Sequence, residues 1–221
     1  MKSRFPWAVL PIFRGALRGK RWLLATRSNF FFGTYEPEQT ALFERYVAAG
    51  AVVYDIGAHY GYYSLLSSVL SGANGRVFAF EPSPVNLPVL RRHISLNRCA
   101  NIQVLELAVS DREGTAHFDL GGGSGIGHLA EAGSVEVKLT RLDALAETLP
   151  PPAAMKIDVE GAEMQVLRGG AQTIESAKPV IFLSVHSAEL KRECEEFLRQ
   201  RGYTLQEILP MELLALPSGV A

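Results

Sequence analysis

The chain has 221 residues, of which 48% are hydrophobic and 20% charged, and its formal net charge is −1. These values are typical of one globular domain, so they exclude an intrinsically disordered chain and a collagen-like repeat. The two cysteines, Cys99 and Cys194, are too few for a disulfide framework or a cysteine zinc cluster, and they predict a reduced, cytoplasmic protein. No apolar run reaches the roughly 18 residues that a membrane-spanning helix needs.

The first 35 residues differ in charge from the rest of the chain. They contain seven lysines and arginines and no acid, whereas the remaining residues include 15 basic and 23 acidic ones. The same segment contains Trp7, Trp22 and a run of three phenylalanines, and Pro6 and Pro11 argue against a secretory signal. We therefore predict a basic aromatic N-terminal arm over residues 1–35. Two alternatives stay open for it: its rings pack on the following domain, or it is a lid, a dimer arm or a contact for an anionic or membrane-associated partner.

Residues 36–221 alternate between helical and β-rich segments and are predicted to form one domain. In chain order the prediction is helix 36–48, strand 51–56, helix 61–70, strand 76–81, helix 84–97, strand 102–107, strand 154–159, helix 162–177, strand 179–185, helix 188–201 and a C-terminal hairpin of 203–209 and 212–216. Strands that alternate with crossover helices form a parallel sheet covered on both faces. The pattern therefore predicts a doubly wound α/β domain.

One segment interrupts this alternation. Residues 115–120 and 134–140 predict a small inserted β-ribbon, joined by a glycine-rich loop at 121–127 whose backbone has few steric restraints. This composition is compatible both with a flexible turn and with a loop that faces the substrate.

The first crossover carries the clearest ligand-binding motif. The strand 51–56 leads into a D-x-G-x-x-x-G pattern of Asp55, Gly57 and Gly61, which opens a helix. Glycines allow a sharp turn and let a ligand approach the backbone. The G-x-G-x-x-G fingerprint of dinucleotide-binding folds is missing, and a carboxylate beside the turn would repel a diphosphate. The motif favours a ligand that carries an ammonium and a sulfonium group.

The next two strand ends extend this predicted site. Glu81 ends the strand 76–81, where a carboxylate can accept hydrogen bonds from both hydroxyls of an adenosine ribose. Ala108 and Val109 follow the strand 102–107, on the side where open α/β sheets bind ligands, and are predicted to pack on an adenine face. Together with Asp55, these residues predict a nucleoside site.

These motifs resemble the FkbM-type methyltransferases over about residues 33–187. The matching segments are 33–37 (GTYEP), 55–64 (DIGAHYGYYS), 78–82 (FAFEP), 108–111 (AVSD), 155–163 (MKIDVEGAE) and 166–169 (VLRG). The resemblance implies a class I methyltransferase, with a mostly parallel seven-stranded Rossmann-like sheet, that uses S-adenosylmethionine to methylate a hydroxyl of a sugar or other natural-product scaffold. The chain departs from the family pattern at His59, where asparagine is frequent, and at Ser184-Val185-His186, where Glu-x-His is usual.

The fourth strand, 154–159, alternates apolar residues with Lys156, Asp158 and Glu160. In an extended strand these side chains share one face, and a charge is costly to bury without a partner. They form either ion pairs that only stabilise the strand or the charged floor of a substrate pocket. His186 ends the neighbouring fifth strand, and imidazole suits the removal of an alcohol proton near neutral pH. These groups also have the chemistry of a magnesium site, but no ligand spacing on one element supports it, and no metal is predicted.

The predicted function is methylation of a hydroxyl on a sugar, glycolipid or natural-product scaffold, with S-adenosylmethionine as cofactor. The alternatives are a non-catalytic or differently specific S-adenosylmethionine-binding module, a dinucleotide-dependent oxidoreductase and, on the basic arm alone, nucleic-acid methylation. The predicted partner is a small molecule or glycan and not a nucleic acid, while membrane contact through the arm and a homo-oligomer stay open. The predicted catalytic residues are His186 and Asp158, the substrate-binding residues are Lys156 and Glu160, and the cofactor-binding residues are Asp55, Gly57, Ala58, His59, Gly61, Glu81, Pro82, Ala108, Val109 and Asp158.

Overall fold

The structure, a computed structural model, describes residues 8–24, 29–119, 128–130 and 135–219. The predicted loop 121–127 and Trp7 of the arm lie outside these residues. The described strands are β1 (Val9–Pro11), β2 (Arg21–Leu23), β3 (Val52–Ile56), β4 (Arg76–Phe80), β5 (Ile102–Leu105), β6 (Ala108–Val109), β7 (Gly114–Asp119), β8 (His128–Ala130), β9 (Val135–Thr140), β10 (Ala154–Ile157), β11 (Val180–Ser184), β12 (Tyr203–Leu209) and β13 (Glu212–Pro217).

Helices pack on both faces of the main sheet. The described helices are α1 (Asn29–Phe32), α2 (Pro37–Tyr46), α3 (Tyr62–Ser71), α4 (Leu87–Asn97), α5 (Leu142–Leu145), α6 (Glu163–Gly169), α7 (Ala171–Ala177) and α8 (Ala188–Gln200). Helices α2, α3, α4 and α8 lie within a few residues of their predicted bounds, whereas α1 and α5 were not predicted. Among these described helices, none is both long and apolar enough to cross a membrane.

The main sheet confirms the predicted fold class. It has seven strands in the order β12-β13-β11-β10-β3-β4-β5, and β13 runs antiparallel to both of its neighbours. The pairs among β11, β10, β3, β4 and β5 are parallel. From β3, the chain adds β4 and β5 on one side of the sheet and β10 and β11 on the other, so the strand order reverses at β3. Open α/β sheets bind ligands at such a reversal, outside the carboxyl ends of the strands.

The strands are apolar because helices pack on both faces of the sheet. Tyr54 and Ile181 enter a core with the helices that follow β10 and β11, whereas their chain neighbours Val53 and Phe182 enter the opposite core with α2 and α3. This alternation is what a period of two requires of a strand that is buried on both faces. The two cores hold the strand ends in a fixed register.

The single helix predicted over 162–177 is in fact two helices, α6 and α7, which meet at Gly169 and Gly170. A Cβ atom on Gly169 would lie 1.9 Å from the carbonyl oxygen of Ser110, the residue after β6. The two backbone segments are therefore too close for any residue with a side chain at position 169. The sequence pattern cannot predict this contact, because Ser110 is distant from Gly169 along the chain.

The predicted two-stranded ribbon is wrong in extent. The inserted segment forms a four-stranded sheet in the order β6-β9-β7-β8, and β6 is the pair Ala108–Val109 that the sequence suggested as part of a ligand-side turn. The third predicted strand therefore ends at Leu105, and the chain enters a separate sheet. Two-residue β6 has too little pattern of its own to be predicted, since its pairing with β9 is what defines it.

The arm packs on the domain through its aromatic rings. Trp22 is fully buried and stacks on His93 of α4, with ring centroids 3.7 Å apart. The backbone N–H of Leu23 donates to Nε2 of His93 at 3.1 Å, so Nδ1 carries the ring hydrogen and donates to the carbonyl of Tyr60 at 2.8 Å. Burial lowers the pKa of His93 to about 4, which keeps this ring neutral. The hairpin of β1 and β2 is thereby fixed on α4.

Candidate active site

The predicted site residues meet at one edge of the main sheet. Since β3, β4, β10 and β11 run parallel, their carboxyl ends lie at the same edge. Asp55 lies at the end of β3, Glu81 directly follows β4, Asp158 directly follows β10, and His186 lies two residues beyond β11. Tertiary structure thus brings together four groups that are spread over more than half of the chain.

The turn after β3 requires glycine at two positions. Gly57 has a φ of +85°, and a Cβ atom there would lie 1.8 Å from the carbonyl oxygen of Asp158. Gly61 has a φ of +88°, and its Cβ would lie 2.4 Å from Cδ1 of Leu90. An L-residue pays a steric penalty at such φ values, and here the surrounding atoms also leave no space. The turn is consequently packed directly against the segment that carries Asp158.

Asp55 is a buried carboxylate, with 2% of the residue exposed. Its Oδ2 accepts a hydrogen bond of 2.5 Å from the hydroxyl of Ser64 in the first turn of α3. Burial raises the pKa of Asp55 to about 6, although Ser64 and the ammonium of Lys156 act in the opposite direction. The group sits beneath the turn and connects it to the helix that follows.

Glu81 accepts hydrogen bonds from the backbone of the same turn and of the segment after β4. It is 3% exposed; Oε2 accepts from the backbone N–H of His59 at 2.6 Å, and Oε1 accepts from the backbone N–H of Ser83 at 2.8 Å and from Nδ2 of Asn86 at 3.2 Å. Burial raises the pKa of Glu81 to about 7. Beside it, Oδ1 of Asn86 is buried without a hydrogen-bond partner among the described residues. A sugar hydroxyl is the kind of donor that this acceptor lacks.

Lys156 is a fully buried cation behind Asp158. Its Nζ lies 3.2 Å from Oδ2 of Asp158 and donates to the hydroxyl of Ser184 at 2.5 Å, and that hydroxyl donates to Oε2 of Glu212 at 2.8 Å. Burial lowers the pKa of Lys156, but the carboxylates of Asp158, Glu212 and Glu36 outweigh burial and raise it. The ammonium is therefore kept charged and cannot reach solvent.

A second set of polar groups approaches this ammonium from the N-terminal side. Glu36, which precedes α2, accepts from the hydroxyl of Tyr63 at 2.6 Å and from Nε2 of Gln39 at 2.9 Å. The same Gln39 amide lies 3.2 Å from Oε2 of Glu212. The backbone at Glu36 adopts a positive φ of 43°, which turns the segment 33–36 toward the site. This network joins α2, α3 and β13 behind the strand ends.

His186 lies within a group of three carboxylates. Its Nδ1 is 2.8 Å from Oε1 of Glu163, and its Nε2 is 3.3 Å from Oε2 of Glu160 and 3.6 Å from Oδ1 of Asp158. A carboxylate only accepts, so Nδ1 carries a hydrogen in both states of the ring, and Nε2, which gains the second hydrogen when the ring is charged, is the nitrogen that faces the site. The hydrogen bond to Glu163 raises the pKa of His186 and exceeds the opposing effect of burial. With 31% of the side chain exposed, a substrate can reach the ring.

Ligand atoms of Asp158, Glu160 and His186 all lie within 4.8 Å of one another, a spacing that a metal ion could bridge. The geometry is equally that of an imidazole hydrogen-bonded by carboxylates, and the prediction of no metal stays a prediction. Asp158 itself is held ionised: burial raises its pKa, but Lys156 and His186 outweigh burial and lower it. A carboxylate in that state orients a neighbouring group better than it removes a proton.

Four other predicted cofactor residues have simpler surroundings. Ala58 packs with Leu90, and Pro82 is partly exposed next to Glu81. Ala108 and Val109 are buried in protein cores, so the structure gives them no exposed face toward a ligand. Their contact with an adenine therefore stays a prediction.

Sequence reasoning missed three carboxylates of the site. Glu163 is fully buried and also accepts from the backbone N–H of Gly161 at 2.9 Å. Glu36 and Glu212 supply negative charge around Lys156 from opposite ends of the chain. Glu163 had a signal in the sequence, since it lies three residues after Glu160 in the first turn of α6. Glu36 had only its place in the matching segment 33–37, and Glu212 had no signal, because only the tertiary structure places these two beside β10.

The comparisons with known proteins identify a family and relatives of this chain. The model of the methyltransferase FkbM domain matches residues 55–205. The chain is 27% identical over 153 residues to the hexuronic acid methyltransferase AglP of Haloferax volcanii, a match that covers 67% of this chain and 62% of AglP. It is 26% identical over 191 residues to the methyltransferase sdnD of Sordaria araneosa, covering 69% of this chain and 73% of sdnD.

Solved structures share the fold. A methyltransferase FkbM from Methylobacillus flagellatus KT superposes with a TM-score of 0.57 at 21% identity and covers 75% of this chain and 43% of its own. Aeropyrum pernix fibrillarin, solved with natively bound S-adenosyl-L-methionine, gives a TM-score of 0.51 at 14% identity, covering 80% of this chain and 72% of its own. The chain thus spans less than two thirds of both AglP and the FkbM structure. On the match over residues 55–205, it belongs to the FkbM methyltransferase family.

Proposed function

We propose that the chain methylates a hydroxyl group of a sugar or a related natural-product scaffold with S-adenosylmethionine as the methyl donor. The observation that carries the proposal is the meeting of two sets of groups at one sheet edge. One set is the glycine turn with Asp55 and Glu81, and the other is His186 with its carboxylates. A donor site and a proton-accepting site side by side are what an O-methyl transfer requires. The sugar is supported by AglP, which acts on hexuronic acid.

The residues of the turn fit S-adenosylmethionine. The two buried carboxylates suit a ligand with a cationic end and a ribose diol, and the unpartnered Oδ1 of Asn86 beside Glu81 suits a ribose hydroxyl. Glu81 would hold the ribose, and Asp55 with the Gly57 turn would hold the amino-acid end. When bound, S-adenosylmethionine would supply a methyl group on a positively charged sulfur, and this sulfur is the leaving group when an oxygen attacks the methyl carbon.

His186 is proposed to take the proton of the acceptor hydroxyl. Nδ1 is already occupied by Glu163, so Nε2 is the nitrogen available to accept a proton. The imidazolium that results lies within 3.3 Å of Glu160 and 3.6 Å of Asp158, which stabilise its charge. Asp158 and Lys156 keep each other ionised beneath this position. The partly exposed Glu160 would bind a further hydroxyl of the acceptor, whereas the predicted substrate contact of Lys156 is replaced by an indirect role, because its buried ammonium meets Asp158 and not the pocket. Orientation of the acceptor in a shaped pocket contributes the remaining acceleration.

The test is a methyl-transfer assay with labelled S-adenosylmethionine and a panel of hexuronic acids, neutral sugars, glycolipids and polyketides. With an accepted substrate, His186→Gln should lower kcat about 10²–10⁴-fold while leaving S-adenosylhomocysteine affinity unchanged. The matched control is His117→Gln, which removes an exposed histidine of β7 and should leave kcat unchanged. Normal turnover in His186→Gln would rule out the proposed base.

Three further outcomes would change the proposal. Binding of S-adenosylhomocysteine with no methylation of any acceptor would favour a non-catalytic module. A rate that falls with a chelator and returns with Mg²⁺ would assign Asp158, Glu160 and His186 to metal binding. Co-purified NAD in place of S-adenosylmethionine would favour an oxidoreductase.

A further inference from the structure

The N-terminal arm carries exposed apolar side chains beside its buried ones. Within the described residues, six large hydrophobic side chains are exposed, and four of them lie between residues 10 and 32. They are Leu10, Phe13, Leu24 and Phe32, with exposures of 38%, 50%, 43% and 57%. Phe13 and Phe32 face each other with ring centroids 6.4 Å apart, and the backbone N–H of Phe13 donates to the carbonyl of Phe31 at 2.8 Å. Two of these side chains thus form one fixed aromatic pair.

Basic side chains surround this apolar surface. Arg14, Arg18 and Arg21 are exposed, and none of them forms an ion pair in the part of the chain that the structure describes. Lys20 lies next to the residue that precedes Phe13, because the backbone N–H of Ile12 donates to the carbonyl of Lys20 at 2.8 Å. The first 35 residues contain no acid that could neutralise these cations.

A cleft continues the basic surface onto the domain. It has a volume of about 570 Å³ and lies between the arm, the end of α4 and the starts of β4 and β5, at the edge of the sheet away from the active site. Lys20, Arg76 and Arg98 are its charged lining residues, and no carboxylate lines it. Arm and cleft are held together by Asn97, whose side chain bonds both the N–H and the carbonyl of Arg21 at 2.7 and 2.9 Å.

We propose that this surface, residues 10–24 and 32 together with the cleft, binds an anionic lipid bilayer. Cations alone would fit any polyanion. The exposed aliphatic Leu10 and Leu24 distinguish the occupant, since they gain from burial in acyl chains and do not stack on bases. The charges then attract anionic headgroups, and the cleft seats one of them. A rigid platform suits this role because the buried Trp22 side of the arm already anchors it to α4.

The test is co-sedimentation of the full chain with vesicles of phosphatidylcholine alone and of phosphatidylcholine mixed with phosphatidylglycerol. Binding is expected only to the mixed vesicles and should weaken as salt is raised. Each neutralised cation should weaken binding about five-fold, the factor that about 1 kcal/mol gives. Lys20→Gln with Arg98→Gln should therefore cost about 25-fold, whereas the exposed Lys138→Gln of β9 should cost nothing measurable.

A second variant and its control test the contribution of the exposed apolar side chains. Phe13→Ser with Phe32→Ser should abolish sedimentation at a lipid concentration that retains the wild type, whereas Leu209→Ser, which removes a side chain 40% exposed on β12, should not change it. Melting temperature and S-adenosylhomocysteine affinity are measured on every variant to show that the fold is intact.

Four results would overturn the proposal. One is equal binding to both kinds of vesicle, and another is equal binding by the variants and their controls. The third is tighter binding to a single-stranded RNA, lost in the same variants, which would assign the surface to nucleic acid. Self-association that disappears in Phe13→Ser would likewise assign it to a second copy of the chain.

Discussion

Glu81→Gln tests whether one carboxylate both builds the donor turn and binds the donor. In the wild type this side chain accepts from two backbone N–H groups, those of His59 and Ser83, and from Nδ2 of Asn86. An amide of the same shape must turn its NH₂ toward one of these donors. If the NH₂ group faces His59, the 2.6 Å bond from the His59 N–H is lost. If the NH₂ group faces Ser83, the amide of Asn86 can rotate so that its unpartnered Oδ1 accepts from the NH₂ group, and only the bond from Ser83 is lost.

The loss of one buried hydrogen bond should cost about 1–3 kcal/mol of stability, and the amide avoids the burial of a charge, the effect that raises the pKa of Glu81. For a chain of this length that corresponds to a fall in Tm of about 2–12 °C. The matched control is Glu113→Gln, an exposed carboxylate that also accepts from a backbone N–H, that of Arg141 at 2.9 Å. It should lower the Tm by much less, because solvent replaces the lost bond.

Thermal melts and calorimetry with S-adenosylhomocysteine on the same samples separate the two roles. A Tm as high as that of the Glu113→Gln control would refute the structural reasoning. A lowered Tm with unchanged affinity at a temperature where both proteins are folded would refute the ribose assignment alone.

The pH dependence follows from the same group. Burial raises the pKa of Glu81 from 4.5 to about 7 and that of Asp55 from 3.8 to about 6, so between these limits the folded chain binds more protons than the unfolded one. Stability of the ligand-free protein should then fall as pH rises from 5 to about 8. The raised pKa of His186 acts in the same direction, since its stabilising effect is lost above its folded-state pKa. S-adenosylmethionine affinity should change with the opposite sign, because the ionised carboxylates attract the cation. Melts and titrations across this range that showed parallel trends would contradict both assignments.

Two further predictions concern packing around Asp158. Gly57→Ala should abolish S-adenosylhomocysteine binding and lower the Tm sharply, because its Cβ would lie 1.8 Å from the Asp158 carbonyl oxygen. The control is Gly50→Ala, where φ is +80° but no atom lies within 4 Å of the added Cβ. It should cost only about 1–2 kcal/mol of unfolding free energy. Lys156→Met should cost about 1–3 kcal/mol at neutral pH, because it leaves the half-buried carboxylates of Asp158, Glu212 and Glu36 without their cation. Lys191→Met, whose ion pair is with an exposed glutamate, should cost less than about 1 kcal/mol in the same denaturant titration.

The sequence alone determined the fold class. Alternating apolar strands and helices favour a parallel sheet with right-handed crossovers and helices on both faces, so the sheet and its ligand-binding edge follow from local pattern. The positions of Asp55, Gly57 and Glu81 at this edge follow for the same reason, since each lies at or just after a strand end. The local motif also carried the family resemblance.

Only the tertiary structure decided how the charges are paired. Lys156 looked like a partner of Asp158 or Glu160, but it also meets Ser184 and, through that hydroxyl, Glu212, because β13 inserts antiparallel beside β11 and aligns Glu212 with Ser184. His186 is oriented by Glu163, 23 residues away in the chain. Such contacts depend on strand register and on which edge a late hairpin joins. Those are set by long-range packing of the two cores, and no local pattern of residues encodes them.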